Sequence, residues 1–164
     1  MTAAPLTTYT GTLIADTAIP VWHEARRELP VLFGASAAAS AGAATALFLP
    51  REEAGPARRL AVAGTVGALV TTEAMQHRLG FVGEVYEKEA AGKLARVSKV
   101  CAAAGAALLA TRGRRSRGAI VAGSALVLAG ELALRWSVFR AGFQSARDPR
   151  YTVIPQKQRK EGRR

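Results

Sequence analysis

Three groups of residues combine side-chain types and spacings that could do chemistry. In the segment TLIADTAIPVW, Asp16, Thr17 and Pro20 sit inside an apolar stretch. Pro20 has no N–H to offer the carbonyl of Asp16 four residues back, so a helix here is expected to kink and to leave a backbone acceptor free beside a carboxylate. Such a spot suits a proton path or a ligand cavity; alternatively it is an interfacial Asp satisfied by a neighbouring helix. Glu131 and Arg135 stand at i and i+4 in another apolar stretch. That spacing predicts an intramembrane ion pair on one helix face, either functional or a structural device that lowers the cost of burying both charges. The only histidines, His23 and His77, fall at expected helix ends on the same side, with Glu24 next to the first. Their spacing gives no sign of two facing axial haem ligands, and polar groups at such ends also serve headgroup contact. Glu73, one turn from an expected helix end, reads as a snorkelling side chain.

No HExxH, CxxC, phosphate-cradling glycine loop or Ser/His/Asp arrangement is present, which disfavours a self-contained enzyme. No metal-ligand set is expected. The lone Cys101, within CAAAGAALLA, excludes an intrachain disulfide and reads as packing.

The elements that must position these groups are five apolar stretches, all expected to be helical: Tyr9–Trp22, Leu29–Pro50, Ala57–Gln76, Leu94–Thr111 and Gly118–Arg140. The second holds 22 residues without a charge, and a helix of that length spans roughly 33 Å, the thickness of a bilayer core. The fourth has only 12 uncharged residues, Val100 to Thr111. The weaker stretches are therefore expected to enter lipid beside stronger neighbours. The fold class predicted is all-α: an integral membrane helix bundle of about four transmembrane helices plus a kinked N-terminal helical segment. Residues 1–142 form the bundle and residues 143–164 a basic extramembrane tail, in which Pro149 and Pro155 stop any long helix. Hydrophobic residues make up 49% of the chain but aromatics only 6%, and such small packing residues let helix backbones approach closely in lipid. Gly34, Ala38, Gly42 and Ala46 predict a smooth stripe against another helix.

Short connectors, Arg51–Pro56 and Arg112–Arg117 on one side and His23–Glu28 on the other, imply antiparallel neighbours. The formal charge of +11 is spread between apolar segments and the tail. That pattern favours membrane-flanking charge over a nucleic-acid stripe. Seven arginines flank one membrane side against ten basic residues on the other, a count that leans to a cytoplasmic C-terminus. The N-terminus lacks the basic and compact apolar regions of a cleaved signal peptide. The expected location is the cell membrane, with several passes.

Two segments carry a family resemblance. The run Tyr9-Thr10-Gly11 to Asp16-Thr17-Ala18-Ile19-Pro20-Val21-Trp22-His23-Glu24, followed by Arg27-Glu28-Leu29-Pro30, resembles the second half of the NrfD/PsrC family, the membrane subunits of polysulfide reductase and related molybdoenzymes. The ending Ser145-Ala146-Arg147-Asp148-Pro149-Arg150-Tyr151-Thr152-Val153-Ile154-Pro155-Gln156 resembles it too. The resemblance implies two four-helix bundles in series in full members, of which this chain retains the last helix of the first and all of the second. It implies a membrane anchor subunit that passes electrons between a quinone, such as menaquinone, and an iron–sulfur ferredoxin-like subunit bound to a molybdopterin oxidoreductase, with no haem. A separate N-terminal half is a further implied partner. Tyr9 is then the quinone-facing hydroxyl, while Asp16, His23 and Glu24 serve a quinone or proton path. The alternative is a truncated structural or assembly membrane protein without redox activity.

Overall fold

The computed structural model describes residues 3–86 and 88–161; the last three residues of the tail lie outside the described residues. In chain order the helices are α1 (Ala3–Ala15), α2 (Pro20–Glu24), α3 (Leu29–Phe48), α4 (Gly55–Leu79), a 3-10 segment (Gly80–Tyr86), α5 (Glu89–Thr111), α6 (Arg117–Arg147) and α7 (Arg150–Glu161). Among the described residues there is no strand.

Prolines open three of these helices. Pro20 is the first residue of α2, and Pro30 and Pro56 are the second residues of α3 and α4. At those positions the missing N–H has no intrahelical partner to lose. The kinked first helix expected from Tyr9 to Trp22 is instead two helices, because residues 16–18 bend and α2 starts afresh at Pro20. Pro20 holds Ile19 extended (φ −74°, ψ 119°), so the chain breaks where a kink would have needed helical geometry at that residue. At the other end α6 continues to Arg147, past the expected Arg140, since no breaker intervenes until Pro149 forces Asp148 out of the helix (φ −107°, ψ 111°). The tail also departs from expectation: Pro149 stops α6, but α7 runs through Pro155, which removes one backbone hydrogen bond from a short helix.

Two antiparallel hairpins, α3–α4 and α5–α6, form the body of the fold, with α1 lying on α3. In each hairpin, glycines bring the backbones together. A Cβ on Gly42 would fall on the backbone of Ala57 and Ala61, and one on Gly64 would fall on the backbone of Ala35 and Ala39. Gly105 meets the Gly123 carbonyl and the Val127 amide, both 2.7 Å from where its Cβ would stand, and Gly130 meets Ala102 and Ser98 in the same way. The small-residue stripe is therefore real but turns around the helix. Gly34 faces Thr8 of α1 while Gly42 faces α4, because a four-residue step overshoots one turn by about 40°. The contact with α4 follows Ala35, Ala39 and Gly42.

Helix ends are tied by arginines. Arg117 donates to the carbonyls of Ala46 (3.0 Å), Leu49 (2.7 Å) and Leu47 at the C-terminus of α3, where a cation meets the negative end of the helix dipole. Arg78, in the last turn of α4, grips the Glu28 carboxylate and donates to the Glu24 carbonyl at 2.6 Å.

Small apolar residues fill the core, yet several polar groups are buried and many large apolar ones are exposed. Ser36, Thr65, Thr72, Ser98, Ser124, Glu131 and Ser137 are buried, while Phe48, Val66, Val70, Val100, Leu132, Trp136 and Phe139 face outward. An apolar exterior of this extent marks a surface made for something other than water. Three helices, Leu29–Phe48, Ala90–Thr111 and Arg117–Arg147, are long and apolar enough to cross a membrane. Helix α4 has 25 residues, and so is long enough at about 37 Å, but carries Arg58, Arg59 and Glu73.

Candidate functional site

The break between α1 and α2 builds the first part of the site. Thr17 caps the frayed end of α1 by donating to the Ile14 carbonyl (3.0 Å) and accepts from the Ile19 amide (3.4 Å). Helix α2 then lays Trp22 across α6. The indole N–H donates to the Val138 carbonyl at 2.9 Å, and the ring lies directly on Gly142, where a Cβ would enter its six-membered ring. One residue earlier, the Val21 amide donates to the Ser145 hydroxyl (3.4 Å), which itself donates to the Gly142 carbonyl (2.8 Å). Phe143 meets the same indole edge to face.

This joint brings the two ends of the chain together around a cleft of about 240 Å³ lined by Thr17, Ala18, Pro20, His23, Glu24, Tyr151 and Thr152. Tyr151 is buried and its ring stacks on Phe81 at 5.3 Å between centroids. His23 is exposed and Glu24 half-buried. Asp16 is exposed at the chain break, next to Thr17 but outside the cleft lining. Tyr9 is 61% exposed on the outer face of α1 and lies apart from the cleft. The structure thus unites His23 with Glu24, sets Asp16 at the rim and leaves Tyr9 outside.

Glu131 lies in the bundle interior. It is 3% exposed and its Oε2 has no hydrogen-bond partner. The expected ion pair with Arg135 is not formed. Arg135 leans outward over the Phe33 ring, 5.4 Å from its centroid, and donates to the Ser36 hydroxyl at 3.3 Å. Ser36 in turn hydrogen-bonds Glu131, so a hydroxyl of α3 stands between the two charges. The i,i+4 spacing permits a pair; the aromatic face and hydroxyl of α3 outcompete it.

Glu131 also borders a small, partly open cavity of about 10 Å³ with Thr72, Gln76, Tyr86, Ser98 and Lys99, space for about one water. Burial pushes the Tyr86 hydroxyl well above the usual phenol range, so it remains a protonated donor. Lys99 bridges the Glu73 carboxylate (2.6 Å) and the Gln76 side chain (3.0 Å) at the mouth. These cavity residues come from α4, α5 and the 3-10 segment, and no local motif in the sequence links them. Glu73, read as a snorkelling side chain, is exposed and paired with Lys99.

Among the described residues no three His, Cys, Asp or Glu side chains cluster as metal ligands would. A quinone headgroup suits the terminal cleft better than the interior. The cleft offers the His23 imidazole beside apolar walls from Ala18 and Pro20, whereas the Glu131 cavity admits only a water-sized species. The fold and these two sites define a helical bundle with an apolar exterior and a mainly apolar core that encloses several hydroxyls and the Glu131 carboxylate. Comparison of the chain with protein-family models, with curated proteins and with solved structures finds no match.

Proposed function

We propose that the chain is a multi-pass subunit of the cell membrane, with α4 as its fourth span, that anchors a quinone-linked molybdoenzyme complex. The observation that carries this reading is the convergence of the two segments resembling the NrfD/PsrC family. They lie more than 100 residues apart, yet Val21 bonds Ser145, and Thr17, Ala18, Pro20, His23 and Glu24 share a cleft with Tyr151 and Thr152. A bound quinone supplies two-electron, two-proton chemistry. In the cleft, His23 would hold a quinone carbonyl by hydrogen bonding, Glu24 would exchange protons beside it, and Asp16 would connect them to water at the rim. Electrons would come from an iron–sulfur subunit docked at this face, with the molybdopterin subunit beyond it.

The test is titration of the detergent-solubilised full chain with a quinol analogue, read by quenching of intrinsic fluorescence. Saturable binding is expected, weakened about tenfold or more by His23→Gln, with smaller effects of Asp16→Asn. Binding that never saturates, or that ignores His23→Gln, overturns it. The exposed position of Tyr9 and the small volume beside Glu131 favour a second reading, a structural or assembly membrane protein whose glycine-packed hairpins hold partner helices. That reading predicts no saturable quinol binding.

A further inference from the structure

At the end of the bundle opposite the cleft, the α3–α4 and α5–α6 loops and the start of α4 carry seven arginines against two glutamates, Glu52 and Glu53. Some of that charge is accounted for: Arg51 pairs with Glu52, and Arg117 caps α3. Among the described residues, Arg58, Arg59 and Arg114 have no carboxylate within ion-pair distance. Arg58 is the unusual one. It is 7% exposed, its Nε has no hydrogen-bond partner, and Arg59 and Arg114 press on it with like charge. Its side chain lies over Gly113, where a Cβ would stand 3.1 Å from the Arg58 Cδ. The glycine leaves room for the guanidinium to lie there. A buried cation with an idle donor, ringed by two more cations, is unfavourable until an anion completes it.

The three guanidinium groups stand at the head of an open groove of about 280 Å³ between α4 and α5. Its floor is apolar, made by Val62, Ala63, Leu109 and Ala110. From Arg58 the floor runs along α4 away from the loops, toward the middle of the spanning segments. Charge at the head and hydrocarbon along the floor match an amphiphile whose anion is a phosphate. A free phosphate would use the head and leave the floor uncovered. We infer that this groove is a binding site for an anionic phospholipid, its phosphate held by Arg58, Arg59 and Arg114 and the start of an acyl chain lying on the apolar floor. The inference depends on the chain lying in a bilayer and is independent of the quinone reading, since it concerns the opposite end of the bundle.

The experiment is native mass spectrometry of the full chain released from uncharged detergent, after titration with phosphatidylglycerol, phosphatidylcholine or inorganic phosphate. Phosphatidylglycerol is expected to give a saturable one-to-one adduct, and neither phosphatidylcholine nor phosphate alone should do so. Because Arg58→Gln alters a buried position, the decisive variant is the exposed double substitution Arg59→Gln/Arg114→Gln, with its helix content checked by circular dichroism. At about a fivefold effect per basic residue near an anionic headgroup, the double variant should weaken phosphatidylglycerol binding about thirtyfold. Equal binding of phosphatidylcholine overturns the proposal, as does unchanged affinity in the double variant. Competition by millimolar phosphate that displaces the lipid completely would mark a free-anion site and overturn the lipid assignment.

Discussion

The contact between Trp22 and Gly142 makes a quantitative prediction, because the indole occupies the space a Cβ would need. In Gly142→Ala the new methyl meets the rigid ring carbons of Trp22 and stands 2.8 Å from where the indole nitrogen sits. The ring is held by its bond to the Val138 carbonyl, so relief requires α2 to lift away from α6. Overpacking of this kind costs about 1–3 kcal/mol. Trp22→Ala removes the ring itself and should cost about 3–5 kcal/mol through lost packing and the cavity left behind. In the double variant the clash is gone and the alanine methyl fills part of the cavity. Its stability should then match Trp22→Ala alone, a coupling of about 1–3 kcal/mol between the sites. The assay is unfolding of the detergent-solubilised chain by dodecyl sulfate, followed by circular dichroism, which does not depend on the indole. If Gly142→Ala costs the same in both backgrounds to within about 0.5 kcal/mol, Trp22 does not rest on Gly142, and the joint that assembles the terminal cleft is wrong.

Further outcomes follow from other contacts. Gly42→Leu and Gly64→Leu each drive a side chain into the backbone of the facing helix; each should destabilise the α3–α4 hairpin by more than about 2 kcal/mol, measured by the same unfolding assay. Arg117→Gln leaves three carbonyls at the end of α3 without their cationic donor, so faster amide exchange is expected at residues 44–49, with α1 unaffected. Tyr86 is buried and its phenol is pushed up in the folded state. Stability is therefore intact below the unfolded value of about pH 10 and falls as pH rises above it; Tyr86→Phe should move the midpoint of alkaline unfolding upward.

Much of the fold was legible in the sequence because its signals are local. Charged connectors and helix-opening prolines mark the hairpins, and the uncharged length of Leu29–Pro50 marks a span. The errors lie where one residue's effect depends on its surroundings. Pro20 breaks the chain where a kink was expected, since it holds Ile19 extended, and Pro155 leaves α7 intact. The stripe from Gly34 to Ala46 predicts a partner helix, but its drift divides it between α1 and α4. The terminal cleft was half legible. His23 and Glu24 are neighbours in sequence, whereas Tyr151 joins them only because Trp22 docks on α6. Around Glu131, the spacing to Arg135 suggested the nearest partner and missed Ser36, Thr72, Tyr86, Ser98 and Lys99, which arrive from four other elements. The arginine groove escaped notice because the count of basic residues near helix ends does not reveal which of them lack a counter-ion.

The most direct measurement of the central claim, that these helices pack as a bundle within a bilayer, is extraction of membranes from cells producing the full chain. After washing in alkaline sodium carbonate, the protein should remain in the membrane pellet and enter solution only with detergent. Release into the carbonate supernatant, or recovery as a stable monomer in buffer without surfactant, would contradict it.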